Sequence, residues 1–256
     1  MVNGRHSCVA TMADYRRFFG IKQKDNVILQ GEEAYHFAKV LRARTGDRLI
    51  ACCGSATDYL CEVLSVSPTR VICKILEETP NETENAYTMT LFQSVLKGDK
   101  TEFVLQKSVE CGVNEFVPFV NDCSNSVLDE KKRPRLERIV SEACKQCGRA
   151  VVPMVQKQQT FAQVLSDLSR FTLVLFCNER ENEKTMIDVI YSFKQKPENI
   201  AVIIGSEGGF SEREVQELQK LPNVRSVSLG KRILRAETAS IAALCIANAA
   251  LSEVLK

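Results

Sequence analysis

The sequence has only two histidines, His6 and His36, in 256 residues. That scarcity leaves no Ser/His/Asp arrangement to assemble, and it leaves the CxxC pair Cys144 and Cys147 without two further zinc ligands at matching spacing. Eleven cysteines occur, but they lack the spacings of a disulfide framework. Every apolar stretch is broken by charge or glycine well before the roughly 18 residues of a membrane span. The opening residues, MVNGRHSCVATMADYRRFF, contain no apolar core of a signal peptide. Neither the phosphate-loop pattern GxxxxGKS/T nor the dinucleotide pattern GxGxxG is present, so a nucleotide-like ligand would be held differently from ATP or NAD. These absences predict a reduced cytoplasmic protein with no membrane span and no metal, long enough to bury a core without disulfides.

The formal net charge is +2, but it is unevenly spread. Lys131 to Arg149 holds seven Lys or Arg against two acids, Glu137 and Glu142. Such a stretch reads equally as a solvated helix face and as a phosphate-tracking surface.

Residues 1–78 read as short β elements around one helix. RRFF, NVIL, DRLIACC, DYLCEVLSV and RVICKIL are rich in β-branched, aromatic and other apolar residues, with turn signals at Thr45-Gly46-Asp47 and Ser67-Pro68. GEEAYHFAKVLR differs, placing Ala34, Phe37, Ala38 and Leu41 at helical spacing. A small β-barrel with an inserted helix is expected. The polar, aperiodic segment EETPNETENAY, residues 77–87, reads as a linker and divides the chain into domains 1–78 and 79–256. In the second domain AYTMTLFQSVL, NEFVPFV, RFTLVLFC, NIAVIIG and VRSVSLG read as strands. DKTEFVLQKSVECG, RPRLERIVSEACKQCG, EKTMIDVIYSFK, SEREVQELQKL and TASIAALCIANAALSEVL read as the helices between and after them. The fold class is α/β, with a parallel sheet covered on both faces. Ligands of such sheets bind beyond the carboxyl ends of the strands, which directs attention to the loops after Ile204 and Leu229.

The first of these loops lies in IIGSEGGFSEREV. It puts Gly205, Gly208 and Gly209 straight after a strand, with Ser211 and Glu214 in capping-box positions for the next helix. Glycines let backbone groups approach a ligand, although the loop also reads as a plain tight connection. The CxxC of SEACKQCGR ends a helix rather than starting one, which favours structural cysteines, and His36 reads as a partly buried helix residue. LGKRILRAETASIAAL, residues 229–244, is less ordinary. It sets Lys231, Arg232, Arg235 and Glu237 between a strand end and a helix apolar enough to be buried almost all round. Arg235 comes to the same sheet edge as Glu207, as a structural ion pair or as part of a ligand site.

Together, IIGSEGGFSEREV and LGKRILRAETASIAAL resemble the paired signature of the small-subunit (16S) ribosomal RNA uridine-N3 methyltransferases, the RsmE family of the SPOUT superfamily. EFVLQKSVECGV and EACKQCGR resemble two further segments of that family, and RRFF with HFAKVLRARTGD resembles its N-terminal PUA-like RNA-binding domain. The resemblance implies a deep trefoil knot in the C-terminal domain, a feature that periodicity never suggests. It implies S-adenosylmethionine as cofactor, held around Phe176, by Ile204, Gly205, Ser206, Glu207, Gly208 and Gly209, and by Leu229, Gly230, Ile233, Leu234, Arg235 and Thr238. It implies phosphate contacts from Arg16, Arg17, Arg42 and Arg44 to 16S ribosomal RNA or the small subunit. It also implies a homodimer, for which Ile241, Leu244 and Leu251 offer an apolar face. The family commonly has Pro after the first glycine of the loop, where this chain has Ser206.

Methylation at uridine N3 removes an imide proton as the methyl arrives and spreads charge onto O2 and O4. A fixed cation beside those oxygens in a dry site contributes roughly 3–4 kcal/mol; Arg235 is the expected one. Glu207 or Glu237 would accept the proton or orient the base, with Glu237 equally suited to pairing with Arg232 or Arg235. An activated sulfonium methyl needs alignment rather than a metal or a covalent nucleophile. Two other readings stay open: a SPOUT ribose 2′-O-methyltransferase acting on transfer or ribosomal RNA, and a non-catalytic RNA-binding ribosome assembly factor.

Overall fold

The structure is a computed structural model, and it describes residues 15–193 and 197–254. His6 lies outside the described residues. Two compact units are present: the first holds the chain up to Glu84 together with Lys145–Val151, the second Asn85–Cys144 and Val152–Lys256.

The first unit contains strands β1 (Arg17–Phe19), β2 (Ile21–Gln23) and β3 (Asn26–Gln30), then helix α1 (Gly31–Tyr35), which runs into a π-helical turn at His36–Val40. Strands β4 (Arg48–Cys52), β5 (Thr57–Val66) and β6 (Arg70–Pro80) follow. They form one sheet in the order β1-β4-β5-β6-β3-β2, antiparallel except for the β1–β4 pair. Among the described residues β1 and β2 do not pair with each other, so in its hydrogen bonding the expected barrel is an open sheet. Phe18, Leu29, Phe37, Leu49, Tyr59 and Val71 fill one face. Burial pushes the Cys52, Cys61 and Cys73 thiols up to about 12, which keeps them protonated and structural.

Strand β6 continues through residues 77–80 of the segment read as a linker, because β5 supplies partners for them: Tyr59 opposite Glu78, Asp58 opposite Thr79 and Thr57 opposite Pro80. The remote segment Lys145–Val151 completes the unit. Its Ala150 packs with Ile50 and Cys52. Its Arg149 is 2% exposed, and Nη2 donates to Glu84 Oε2 at 2.8 Å.

The second unit runs β7 (Thr88–Ser94), α2 (Lys100–Glu110), β8 (Glu115–Val120), α3 (Arg133–Cys147, whose last residues belong to the first unit), β9 (Met154–Val155), β10 (Gln159–Thr160) and α4 (Phe161–Asp167). It continues with β11 (Leu173–Cys177), α5 (Met186–Ser192), β12 (Asn199–Ile204), α6 (Glu212–Gln219), β13 (Val224–Val227) and α7 (Ala236–Val254). Every strand pair is parallel, in the order β10-β8-β7-β12-β11-β13 with β9 beside β8. Parallel sheets are covered on both faces, hence their strands are apolar throughout. All of β11, LVLFC, is buried, and so is all of β12, NIAVII, except Asn199. Phe92, Phe119, Phe171, Phe176 and Phe210 dominate one core cluster. Each ring contributes about 1.5–3 kcal/mol on full burial. The short elements β9, β10 and α4 have no counterpart in the sequence reading; α4 is held by a capping box between Thr160 and Gln163.

Helix α7 buries Ser240, Ala243, Leu244, Ala247 and Leu251, one face at helical spacing, and packs on α2 and α5. Ile241, Ala242 and Ile246 are half-buried, while Cys245 and Ala249 are exposed, so the helix is not buried all round. Leu244 and Leu251 lie inside their own fold and cannot form the expected contact with a second copy. Much of the basic stretch is likewise engaged internally: Arg133 pairs with Glu137, Arg135 with Glu102, Lys145 with Glu33 and Arg149 with Glu84. Among the described residues no helix is long and apolar enough to cross a membrane.

Candidate functional site

Strands β12, β11 and β13 are neighbours and point the same way, so the loops after Ile204, Cys177 and Val227 converge. Between them lies a cavity of about 590 Å³, within the roughly 300–1,000 Å³ of small-molecule sites.

One wall is the glycine loop, whose residue types follow from the space available. A Cβ on Gly205 would lie 2.9 Å from Phe210 Cε2 and 3.0 Å from the Gly209 backbone, and one on Gly208 would lie 3.0 Å from Cys123 Cβ. Gly209 adopts φ +68°, the left-handed region that glycine enters freely, and its N–H donates to the Ser206 carbonyl at 3.0 Å. The Ser206 hydroxyl donates to the Cys123 carbonyl at 3.0 Å, so a side-chain anchor stands where the resembled family commonly has Pro.

Behind the loop, Glu214 is fully buried. Its Oε1 accepts from the Asp122 N–H at 2.8 Å, and its Oε2 accepts from Asn121 Nδ2 at 3.1 Å and from the Ser211 N–H at 2.9 Å. Asn121 Nδ2 also donates to the Gly209 carbonyl at 2.8 Å. The start of α6, the glycine loop and the loop after β8 are thereby tied together. Gln93, buried near the end of β7, links two more parts: its amide Nε2 is 3.4 Å from the Gly205 carbonyl, and its Oε1 accepts from the Ser240 hydroxyl of α7 at 2.5 Å.

The opposite wall is the strap from Leu229 to Ala236. Ile233 on it is 90% exposed, an apolar side chain standing at the rim. Arg235 is exposed, lines the cavity and makes no side-chain hydrogen bond or ion pair among the described residues. Glu207 faces the same cavity; its Oε1 accepts from the Lys97 N–H at 3.1 Å and lies 3.7 Å from Lys100 Nζ. Burial raises the Glu207 carboxyl, but the backbone N–H groups of Lys97 and of Glu207 itself, with the charges of Lys100 and Lys97, outweigh it and hold the group below the usual carboxylate range. Lys100 Nζ also lies 3.4 Å from Glu237 Oε1. The other Glu237 oxygen is buried without a hydrogen-bond partner among the described residues.

Of the residues expected at a cofactor, Ile204, Gly205, Ser206, Glu207, Gly208, Gly209, Leu229, Gly230, Ile233, Leu234 and Arg235 line this one cavity. Phe176 does not: it is wholly buried, edge-on to Phe210 at 5.0 Å, and Cys177 takes its place in the wall. Thr238 is exposed on α7 outside the wall, and Glu237 is outside it too. The expected partners of Glu237, Arg232 and Arg235, are replaced by Lys100. Sequence reasoning missed Lys100, Gln93, Asn178 and Glu179. Gln93 alone carried a signal, an amide inside the apolar strand TLFQS.

In the first unit, Arg16, Arg42 and Arg48 surround a second cavity of about 370 Å³, with Tyr15, Phe18 and Asp47 among its other walls. Arg42 adopts φ +54° directly after the π-helical turn, a left-handed conformation that costs a non-glycine residue roughly 1–2 kcal/mol. Arg44 is exposed beside this cavity, its N–H donating to Asp47 Oδ2 at 2.7 Å. Arg17 is turned inward instead. Its guanidinium forks onto Asp58, Nη1 to Oδ1 at 2.6 Å and Nη2 to Oδ2 at 2.5 Å, a structural use that separates it from the other three.

An RNA methyltransferase domain matches residues 83–248, and an RNA methyltransferase PUA domain matches residues 29–76. The protein named ribosomal RNA small subunit methyltransferase E in Bacillus subtilis (strain 168) is 33% identical over 231 residues, 88% of this chain and 90% of that one. The chain belongs to the ribosomal RNA small subunit methyltransferase E family. Another member, from Mesomycoplasma hyopneumoniae (strain 232), is 32% identical over 230 residues, 89% of this chain and 96% of its own. The crystal structure of the methyltransferase E from Neisseria gonorrhoeae, bound to S-adenosyl methionine, matches with a TM-score of 0.80 at 28% identity, covering 92% of this chain and 97% of that one. The methyltransferase match spans the whole parallel sheet and both walls of the larger cavity, and the PUA match contains the π-helical turn and Arg42.

Proposed function

We infer that the chain is an S-adenosylmethionine-dependent methyltransferase of 16S ribosomal RNA and that the atom methylated is uridine N3. The observation that carries this reading is the meeting, in one cavity at the carboxyl ends of β11, β12 and β13, of a glycine loop, the Glu207 carboxylate and an unpaired Arg235. The wall suits the cofactor. Exposed backbone at Gly205–Gly209 and Leu229–Arg235 offers N–H and C=O groups, Ile204, Val227, Leu234 and Ala239 give an apolar surface, and Glu179 and Glu207 favour a cationic ligand. Bound there, S-adenosylmethionine supplies a methyl group already activated by its sulfonium. The glycine loop and the 229–235 strap orient the reactants, and Arg235 stabilises the charge that develops on O2 and O4.

In this reading the first unit is a PUA-like RNA-binding domain, and the second a SPOUT domain whose parallel sheet ends in a deep trefoil knot. The convergence of the loops after β11, β12 and β13 on one cavity supports the knot. Arg16, Arg42 and Arg44 contact phosphates, joined by Arg48 on the same cavity. The enzyme acts in the cytoplasm as a homodimer, and the half-exposed Ile241 and Ile246 of α7 replace Leu244 and Leu251 as the apolar contact.

The test is incubation of the protein with S-adenosylmethionine and small ribosomal subunits, followed by nucleoside mass spectrometry. Formation of 3-methyluridine is expected. A methylated ribose would select the 2′-O-methyltransferase reading, and no product together with no calorimetric binding of S-adenosylhomocysteine would select a non-catalytic assembly factor.

A further inference from the structure

We propose that Lys100 is a positioning residue that ranks the two carboxylates of the site: Glu237 anchors Lys100 from behind, and Lys100 presents Glu207 to the reacting base. The proposal rests on the methyl-transfer reading above.

Lys100 is the first residue of α2, and its start is pinned. The Leu96 N–H donates to the buried Thr101 hydroxyl at 2.9 Å, and Gly98 makes the preceding turn at φ +64°. The ammonium so delivered lies between two acids, 3.4 Å from Glu237 Oε1 and 3.7 Å from Glu207 Oε1. The two acids differ in what they face. Glu237 stands in the first turn of α7, where the helix dipole favours an anion, outside the cavity wall and with one oxygen buried and unpartnered. Among the described residues its ion-pair partner is Lys100. Glu207 lies in the wall. The Lys97 N–H and Lys100 hold its Oε1, and among the described residues no hydrogen bond or ion pair engages its Oε2. Lys100 and Glu207 therefore both line the cavity, and Glu237 holds Lys100 from outside the wall.

In the reaction this arrangement assigns the proton. The N3 proton passes to Glu207 Oε2 and then to water; the electron pair of the N–H bond stays on the imide, its charge spread onto O2 and O4, and forms the new N–CH₃ bond while the S–CH₃ bond breaks and its electron pair remains on sulfur. The charged groups around Glu207 are Lys97 from the turn before α2, Lys100 from its first residue, Glu237 from α7 and Arg235 on the strap. Removing Lys100 raises the proton affinity of Glu207. Neutralising Glu237 leaves Lys100 to Glu207 alone and lowers it.

The experiment compares Lys100→Gln, Lys100→Arg and Glu237→Gln in the whole chain. Carbon-13 NMR titration of the Glu207 carboxyl without cofactor should show the midpoint moving up in Lys100→Gln, down in Glu237→Gln and little in Lys100→Arg. Single-turnover methylation should fall by about tenfold or more in Lys100→Gln, its acid limb displaced upward, and Lys100→Arg should recover most of the rate. S-adenosylhomocysteine affinity should stay within about twofold in Glu237→Gln, because Glu237 lies outside the cavity wall. A purely structural lysine would not move the two midpoints in opposite directions. An unmoved Glu207 midpoint in Lys100→Gln, or movement of both variants in the same direction, overturns the proposal. If the parent protein makes no 3-methyluridine, the methyl-transfer reading fails, and the NMR titration still decides the link between the three side chains.

Discussion

Replacing Glu214 by alanine should destabilise the second unit far more than a change at a glutamate ordinarily does. The carboxylate is fully buried and satisfies three N–H donors: Asn121 Nδ2, the Asp122 backbone and the Ser211 backbone. Alanine removes the acceptor from all three. An orphaned buried donor costs about 1–3 kcal/mol, and the three share one network, so the losses do not add fully. The expected total is about 3–5 kcal/mol, below the sum of three separate losses. Glutamine separates the contributions. Its single oxygen can serve Asn121 and Ser211, which leaves only the Asp122 N–H facing an amide NH₂, at about 1–3 kcal/mol. Denaturant unfolding of both variants, read as the shift in midpoint at constant slope, measures the two losses. Because Asn121 also holds the Gly209 carbonyl at 2.8 Å, the alanine variant should bind S-adenosylhomocysteine more weakly as well. An alanine variant within about 1 kcal/mol of the parent, or a glutamine variant as unstable as alanine, would refute the reasoning.

Three further outcomes are expected. Arg235→Ala should lower the methylation rate by about 10²–10³-fold, with the fold intact by circular dichroism; normal turnover would remove Arg235 from the site chemistry. Gly205→Ala drives a methyl group into Phe210 and the Gly209 backbone at 2.9 and 3.0 Å, so thermal unfolding should report a loss of about 1–3 kcal/mol and calorimetry a weaker S-adenosylhomocysteine complex. Arg17→Ala should destabilise the first unit by about 3 kcal/mol because it strands the buried Asp58. Arg42→Ala should instead leave unfolding unchanged and reduce the salt dependence of RNA binding, measured by fluorescence anisotropy.

The parallel sheet is legible in the sequence for a physical reason: strands covered on both faces, such as β11 and β12, are written in uninterrupted apolar residues. The glycine loop is legible because a Cβ would crowd Phe210 and the Gly209 backbone at Gly205 and Cys123 at Gly208, and because Gly209 adopts a left-handed φ. Phe176 marks the limit of such reading. Successive strand residues point to opposite faces, so the side chain at the cavity is Cys177 and its neighbour belongs to the core. The end of β6 left no trace, because hydrogen bonds to β5 extend it past the core and its residues there stay mostly exposed. Lys100 was invisible for a different reason. Nothing local distinguishes it from other lysines, and its role comes from two acids that only the folded sheet brings near.

The composition of the first unit from two stretches of chain also governs how it can be made and moved. During synthesis the sheet of β1 to β6 is complete in sequence at Pro80, but Ile50 and Cys52 lack Ala150, and Glu84 lacks Arg149, until the intervening Asn85–Cys144 has been translated. The N-terminal unit therefore has to wait, partly uncovered, for more than half of the protein to emerge from the ribosome. A fragment cut at Glu84 would keep every strand of the sheet and still expose an apolar patch beside a carboxylate shaped for a buried guanidinium. Evolution cannot pass this unit to another enzyme as a simple N-terminal cassette; it has to carry Lys145–Val151 along.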